Sequence, residues 1–195
     1  MGLEQVRSFI AVELPDDLKL RLERIQSYLK SFNCSGVKWV RPDGIHLTLT
    51  FLGSISPNTV GGVGRIIEDA ARGIKPIQLT VEGAGVFPNP KQAQVAWVGI
   101  SGEIKKLSKL KNDIDRGLFE LGFSPESRPF KPHLTLARVG RWVSPEERGR
   151  FGRLVTEARF DMCPLRVGGI SLMKSQLSRE GAVYSRIGLS RLGVR

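Results

Sequence analysis

Two spacings of apolar residues alternate along the chain, and together they predict a succession of helices and strands. Apolar positions three and four residues apart are typical of amphipathic helices, and short alternating or continuous apolar runs are typical of strands. The clearest helical face carries Leu18, Leu22, Ile25, Leu29 and Phe32. The same patterns predict helices beginning near residues 57, 101 and 145, and strands at 8–13, 37–40, 45–52, 77–82, 94–100, 133–136, 165–173 (broken at 168–169) and 183–189.

Serine, glycine and proline residues mark where these elements should begin and end. Ser56 and Ser144 each precede a proline, the arrangement of an N-cap followed by proline at the first helical position. Ser101 is expected to cap the third helix. Gly53 is expected to end its strand, and the Gly- and Pro-rich residues 83–90 are expected to connect two strands.

One order of elements occurs twice: strand, helix, His-Leu-Thr-Leu strand, Ser-Pro helix, strand. The tetrapeptide stands at 46–49 and again at 133–136, too far apart for a solenoid repeat. We therefore expect an α+β protein with two halves related by a pseudo-two-fold axis. Mainly antiparallel sheets should line a cleft, with helices on their outer faces. Residues 1–195 should form a single domain of two intertwined lobes.

Composition limits the class of protein. Of 195 residues, 41% are hydrophobic and 25% are charged, which is typical of a soluble globular chain. No apolar run approaches the ~20 residues of a membrane span, and the N-terminus does not resemble a secretory signal. These features predict a cytoplasmic protein that does not enter a membrane. The two cysteines, far apart, predict neither a disulfide framework nor a zinc site.

The formal net charge is +11 and the pI is about 10.2. A basic surface attracts phosphate and speeds encounters with polyanions, so nucleic acid is a candidate partner. A solvated basic surface without such a partner is the alternative, because the positive residues are spread along the chain rather than gathered in a tail.

The chain contains two histidines, and each begins one of the two His-Leu-Thr-Leu motifs. Successive side chains of a strand point to opposite faces. His46 should therefore share a face with Thr48, and His133 with Thr135, while the leucines point into the core. The duplicated layout gives a geometric reason for the two histidines to meet across a cleft.

Two facing imidazoles suit a phosphodiester reaction. The ordinary histidine pKa of ~6.5 allows one ring to act as base and the other as acid near neutral pH. The threonine hydroxyls could hold the phosphate oxygens, and Lys131 and Arg138 could add positive charge. Arg138 has the wrong parity for the face of His133, so it would need a bulge or the end of the strand to reach it. A zinc site is the chemical alternative, but catalytic zinc needs about three protein ligands and neither motif contains Asp, Glu or Cys.

These residues resemble the 2H phosphoesterases, a superfamily with paired H-x-[ST]-x motifs. Within it the chain is similar to the RNA 2′,3′-cyclic phosphodiesterases, also called 2′-5′ RNA ligases or LigT-like proteins. The similarity covers nearly the whole chain and lies in segments 7–11, 38–40, 46–53, 85–88, 128–138, 172–175 and 181–184.

The resemblance implies a bilobal fold with a V-shaped cleft and metal-independent hydrolysis of RNA 2′,3′-cyclic phosphate ends to 2′-phosphates. It implies that His46 donates a proton, that His133 accepts one, and that Thr48 and Thr135 grip the phosphate. Arg138 matches the arginine that closes the second motif. The resemblance implies no cofactor or metal. Some members of the family also join RNA ends through a 2′-5′ bond. We expect the protein to be a monomer. RNA with cyclic phosphate ends is the expected partner, tRNA fragments among the candidates.

Aromatic residues are candidates for stacking on a base. Phe51, Phe87 and Tyr184 could each stack on a base, and Tyr184 is favoured over the two phenylalanines, for which core packing is the alternative. Phe51 and Tyr184 are the predicted substrate-binding residues. Two other functions stay open. One is the same chemistry on a small cyclic nucleotide, an ADP-ribose cyclic phosphate or a 2′-5′ oligoadenylate, and the other is an RNA-binding module without catalysis.

Overall fold

The computed structural model describes residues 5–124, 126–178 and 181–193. Strands and helices follow one another within these ranges in the order that the apolar pattern predicts. The strands are β1 (Val6–Glu13), β2 (Val37–Trp39), β3 (His46–Ile55), β4 (Ile77–Phe87), β5 (Val95–Gly102), β6 (His133–Val139), β7 (Cys163–Val167), β8 (Gly169–Ser178) and β9 (Gly181–Arg191). The helices are α1 (Asp16–Lys30), α2 (Pro57–Ala71), α3 (Ile104–Glu120) and α4 (Pro145–Glu157). No helix in the described ranges is long and apolar enough to cross a membrane.

Two of the three predicted serine caps are confirmed. The Ser56 hydroxyl accepts a hydrogen bond from the Asn58 backbone N–H, and the Ser144 hydroxyl accepts one from the Glu147 N–H. The Ser101 prediction is wrong because β5 continues through that residue and Glu103 occupies the N-cap of α3.

Two predicted strand ends are also wrong, and bulges are the reason. Gly53 has a φ of +71°, and β3 continues through it to Ile55 with a register shift against β1. Gly83, with a φ of +64°, lies at a register shift between β4 and β5, and β4 runs on to Phe87. Glycine adopts this left-handed backbone without steric cost, so each glycine bends its strand without ending it. The predicted strand at 165–173 is two strands, separated at Gly168.

All strands join one antiparallel sheet in the order β7-β4-β5-β6-β3-β1-β8-β9, with β2 paired to β6. Its halves meet between β3 and β6 through a single pair, Leu47 with Leu134. These leucines occupy the same position in the two motifs, so the pseudo-two-fold axis passes between them. The predicted arrangement of two related αβ halves is confirmed.

The halves exchange strands. The strand that follows α2 is β4, and it pairs with β5 of the second repeat. In the second repeat, β8 lies after α4 and β7, and it pairs with β1 of the first repeat. A single residue, Gly168, separates β7 at one edge of the sheet from β8 near the other edge. The sheet must therefore curl into a half-barrel.

The convex face of the sheet carries the main core, beneath the helices. Leu47 and Leu134 of the two motifs are fully buried there. A small second cluster lies apart from this core: Phe9, Ala11 and Met173, with Tyr184 packed against them. Because Phe9 and Ala11 pair with Phe51 and Thr48, this cluster belongs to the concave face.

Candidate active site

The four motif residues lie on the concave face, as strand alternation predicts. His46, Thr48, His133 and Thr135 are half-buried, and the leucine after each is buried. Antiparallel register from the single pair that joins β3 and β6 puts His46 opposite Thr135 and His133 opposite Thr48. The two histidines are diagonal neighbours, which lie about 7–8 Å apart in a regular ladder, with their Cβ atoms somewhat closer. The two imidazoles therefore face one cleft from adjacent strands.

Each imidazole is held by the same local hydrogen bond. The Nδ1 of His46 lies 2.8 Å from the Gly44 carbonyl, and the Nδ1 of His133 lies 2.7 Å from the Lys131 carbonyl. A carbonyl oxygen only accepts hydrogen bonds, so Nδ1 carries the proton in both rings. The Nε2 of each ring is then the atom that can accept or donate a proton to a substrate.

Aromatic rings pack against both histidines. Phe9 stacks on His46 with ring centroids 4.5 Å apart, and Tyr184 meets the same imidazole edge-on at 5.1 Å. Phe87 meets His133 edge-on at 5.0 Å. These contacts restrict ring rotation and remove water from one side of each imidazole.

Burial and a nearby arginine favour the neutral form of both rings. Burial lowers the pKa of His46 below its ordinary value, and the charge of Arg138 lowers it further, while the hydrogen bond to Gly44 opposes them. The pKa of His133 is lowered by burial first and then by Arg138, against the bond to Lys131. Arg138 therefore lies close enough to influence both histidines.

A bulge brings Arg138 to the histidine face. In the β5–β6 ladder, Thr135 and Ala137 pair with adjacent residues of β5, so Leu136 is an extra residue. Leu136 and Ala137 are both buried, and Arg138 is exposed. Beyond the extra residue the alternation of side chains between the two faces is shifted by one, so Arg138 shares a face with Thr135. Arg138 needs such a bulge to reach the face of His133, because its position in the sequence has the opposite parity.

The first repeat contains the equivalent bulge. Thr48 and Thr50 pair with adjacent residues of β1, which leaves Leu49 as the extra residue. Phe51 thus holds the position of Arg138 in the other half. Its side chain is 65% exposed, with its ring centroid 6.3 Å from that of Phe9, so the core alternative for Phe51 is wrong.

The remaining predicted binding residues lie at the rim of this surface. The Lys131 side chain is exposed, with Nζ 6.0 Å from the centroid of the Phe87 ring. Tyr184 is half-buried, and its ring packs against His46 and Phe9. Both residues contact a histidine directly, Tyr184 through its ring and Lys131 through its backbone carbonyl.

Three residues of the site were missed from the sequence: Phe9, Glu13 and Lys38. They are cross-strand neighbours of site residues: Phe9 pairs with Phe51, Glu13 with His46, and Lys38 with Arg138. Cross-strand pairing depends on register between distant segments, so no local pattern indicates it. The described residues include no cluster of three His, Cys, Asp or Glu side chains that could hold a metal ion.

Comparisons with known proteins agree with this architecture. The family model described as LigT like Phosphoesterase matches residues 12–97 and again 98–184, one histidine motif in each match. The RNA 2′,3′-cyclic phosphodiesterase of Methanothermobacter thermautotrophicus is 35% identical over 189 residues, covering 96% of this chain and 100% of that protein. The protein of the same name from Archaeoglobus fulgidus is 32% identical over 180 residues, covering 92% of this chain and 96% of that protein.

Solved structures show the same fold. The crystal structure of TT0787 of Thermus thermophilus superposes with a TM-score of 0.77 at 27% identity and covers 97% of this chain and 99% of that one. E. coli LigT complexed with 3′-AMP superposes with a TM-score of 0.76 at 23% identity and the same coverage. With the family model matched over both halves and full-length relatives above 30% identity, the chain belongs to the LigT-like phosphoesterases.

Proposed function

We propose that this phosphoesterase opens RNA 2′,3′-cyclic phosphate ends to 2′-phosphates without a metal, using His46 as proton donor and His133 as proton acceptor. The observation that carries the proposal is the matched anchoring of the two rings, each with Nδ1 on a backbone carbonyl and Nε2 available to the same cleft. The names of the full-length relatives support the reaction and the RNA substrate.

The two histidines account for every proton in the reaction. His133 Nε2 takes a proton from water as the water oxygen forms its bond to phosphorus. The bond between phosphorus and the 3′-oxygen breaks, and His46 Nε2 supplies the proton that this oxygen gains. The product carries a 2′-phosphate and a 3′-hydroxyl, and each ring has changed protonation state once.

Thr48, Thr135 and Arg138 hold the phosphate in this proposal. Each threonine shares a face with its own histidine and lies opposite the other one. Hydroxyl and guanidinium hydrogen bonds to the non-bridging oxygens stabilise the charge that builds up in the transition state. The lowered pKa of both histidines favours a neutral base, and a bound phosphate anion offsets the charge of Arg138 so that the other ring can hold its proton.

Phe51, Tyr184 and Lys131 contact the rest of the RNA in this proposal. The exposed Phe51 ring offers a flat apolar surface, and stacking of a base on such a ring contributes about 1–3 kcal/mol. Tyr184 and Lys131 flank the two histidines, where a ribose or a neighbouring phosphate would lie. RNA with cyclic phosphate ends, tRNA fragments included, is therefore the proposed substrate.

Product analysis tests the reaction. An oligoribonucleotide ending in a 2′,3′-cyclic phosphate is incubated with the protein in excess chelator, and the 2′-phosphate and 3′-phosphate products are separated. We expect 2′-phosphate alone, and no turnover with His46→Ala or His133→Ala while circular dichroism and thermal unfolding stay close to wild type. Activity that disappears with chelator and returns with zinc would overturn the metal-free mechanism.

Ligation through a 2′-5′ bond is the same step with a different nucleophile, and the bond between phosphorus and the 3′-oxygen breaks in both. A 5′-hydroxyl would replace water as the group that is deprotonated, and the same two histidines would serve. Incubating a cyclic-phosphate-ended strand with a 5′-hydroxyl strand, followed by a nuclease that spares 2′-5′ bonds, tests this activity directly. Loss of hydrolysis with retained ligation in either histidine variant would contradict a shared site.

A further inference from the structure

A second concavity with a strongly positive lining adjoins the histidine cleft. It measures about 320 Å³, and its charged lining consists of Glu13, Arg166, Arg186 and Arg191. Three arginines and one glutamate give it a net positive charge. The described carboxylates include none within ion-pair distance of Arg166 or Arg191, whereas the Arg186 guanidinium lies 3.5 Å from Glu13.

This arginine pocket is built by the curl of the sheet. Arg166 lies on β7, at one edge of the sheet, and Arg191 lies on β9, at the other. The connection through Gly168 brings the two strands together. Arg166 is exposed while its neighbours Leu165 and Val167 are buried, so its side chain lies on the concave side. Residues from opposite edges therefore converge on one concavity.

The pocket is continuous with the proposed active site through Glu13. Glu13 pairs with His46 across β1 and β3, and its carboxylate accepts a hydrogen bond from the Ser171 hydroxyl. Extending the β1–β8 register puts Glu13 opposite Gly169, which pairs with Arg191. His46 and Arg191 are thus three strands apart in one row, about 14 Å at the usual spacing between strands.

Glu13 determines which arginines of the pocket can attract a phosphate. Its carboxylate is engaged by Arg186 and Ser171, so it neutralises Arg186. Arg166 and Arg191 remain as the arginines of the lining that have no carboxylate partner among the described residues. Leu189, 45% exposed, provides an apolar wall beside them. Two guanidinium groups beside an apolar wall suit a phosphodiester with its attached ribose.

We propose that this arginine pocket binds a phosphate of the RNA chain beyond the nucleotide whose cyclic phosphate is opened, so that the protein favours an oligonucleotide over a mononucleotide. The inference rests on the proposed function for its choice of ligand. A cyclic mononucleotide held between the two histidines ends short of Arg191, which lies about 14 Å from His46 along the sheet. A chain of two or more nucleotides reaches it.

Binding to a matched pair of ligands tests the pocket without depending on catalysis. The ligands are penta-adenylate ending in a 2′-phosphate and adenosine 2′-phosphate, with affinity measured by fluorescence anisotropy and by competition. The variant is Arg166→Gln/Arg191→Gln. The control is Arg24→Gln/Arg65→Gln, which removes the same charge from exposed positions on α1 and α2.

We expect the pocket variant to bind penta-adenylate about tenfold more weakly for each arginine–phosphate hydrogen bond that is removed, the usual effect of deleting a hydrogen bond to a charged group. Its affinity for the mononucleotide should be unchanged. The slope of log affinity against log salt should fall by about 0.7 for each phosphate that is no longer neutralised. The control pair should leave both affinities and the slope near wild type.

Three outcomes would overturn the inference: unchanged binding of penta-adenylate, an equal loss for both ligands, or an equal loss in the control pair. The last would indicate general charge attraction rather than a pocket. Hydrolysis of a cyclic-phosphate-ended strand by the wild type is measured in parallel. If the pocket variant selectively loses oligonucleotide binding but the wild type does not hydrolyse the strand, the proposed function is refuted and the pocket is retained. If the wild type hydrolyses the strand but the pocket variant binds penta-adenylate as the wild type does, the pocket is refuted and the proposed function is retained.

Discussion

Gln26 connects the helix layer to the bulge that positions Arg138. It lies on α1 with 0% of its surface exposed, and its Nε2 donates hydrogen bonds to the carbonyls of Val40 at 2.8 Å and Leu136 at 2.9 Å. Leu136 is the extra residue of the bulge in β6. Replacing Gln26 with methionine keeps the length of the side chain and removes both donated bonds.

The cost of Gln26→Met follows from the groups left behind. The Val40 carbonyl loses the hydrogen bond from Gln26, at a cost of about 1–3 kcal/mol. The Leu136 carbonyl keeps the hydrogen bond that it accepts from the Val40 N–H, so its loss is smaller, about 1 kcal/mol. Gln26 Oε1 is itself buried without a hydrogen-bond partner among the described residues, so its removal returns roughly 1–2 kcal/mol. The net loss should be about 1.5 kcal/mol, which for a chain of this size corresponds to a fall of about 3–6 °C in the melting temperature.

The same variant should reduce activity through Arg138. Without its bond to Gln26, the Leu136 carbonyl keeps only the hydrogen bond from the Val40 N–H. The bulge is then held less firmly, and so is Arg138 in its proposed contact with the phosphate. Gln26→Met and Arg138→Gln should each lower kcat/KM, but Gln26→Met should have little further effect in the Arg138→Gln background.

Urea unfolding followed by tryptophan fluorescence gives the stability, and steady-state hydrolysis of cyclic-phosphate-ended RNA gives kcat/KM. Gln92→Met, at an exposed position, is the control and should change stability by less than about 0.5 kcal/mol. Fully additive losses of activity in the double variant would refute the link between Gln26 and Arg138. A Gln26→Met protein as stable as wild type would refute the magnitude.

Three further changes test other parts of the structure. Arg138→Gln should raise the pKa of both histidines, because the arginine charge opposes their protonation. Both limbs of the kcat/KM–pH profile should then move to higher pH. Limbs that do not move would contradict the electrostatic argument. Lys111→Met should lower the free energy of unfolding in urea by about 2–3 kcal/mol. The Asp115 carboxylate, which is paired with Lys111 and accepts a hydrogen bond from Thr50, would lose its cation. Adding Asp115→Leu should therefore recover most of that loss. Phe9→Leu removes the ring stacked on His46 and should lower kcat by up to about 100-fold through misplacement of the imidazole, with a small change in unfolding; an unchanged kcat would show that the stacking does not position the ring.

The sequence predicts the parts of this site that depend on local periodicity. Alternation within each motif is sufficient to place His46 with Thr48 and His133 with Thr135, because one face of each strand is buried. The Ser-Pro pairs predict two helix starts for an equally local reason, a side-chain hydrogen bond within the first turn. Neither inference requires knowledge of distant segments.

Features that depend on pairing between distant segments are not predictable in this way. Gly53 looks like a strand end, and whether such a glycine ends a strand or bulges depends on its partner strand. The consecutive buried residues Leu136 and Ala137 interrupt the alternation in β6, and only the pairing with β5 identifies this as a bulge. The crossing of β4 and β8 into the opposite halves has no local signature, and Glu13 and Lys38 reach the site only through register.

The near-symmetry of the site has a consequence for its direction. Both imidazoles have the same anchoring bond, both stand opposite a threonine, and both belong to a motif with the same bulge. These shared features alone give no reason for one ring to be the acid and the other the base. The two repeats differ five residues after each histidine, where one has Phe51 and the other Arg138.

Substrate orientation must therefore come from this pair and its neighbours. In the proposed function Arg138 attracts the phosphate and Phe51 offers a surface for a base, so the two halves would not exchange roles for a bound nucleotide. Replacing Phe51 with leucine removes a stacking interaction of ~1–3 kcal/mol, so KM for RNA should rise by the corresponding factor. The preference for 2′-phosphate over 3′-phosphate products should also be relaxed. If Phe51→Leu raises KM and the products stay purely 2′-phosphate, orientation is set by Arg138 and the strands around it, not by the base.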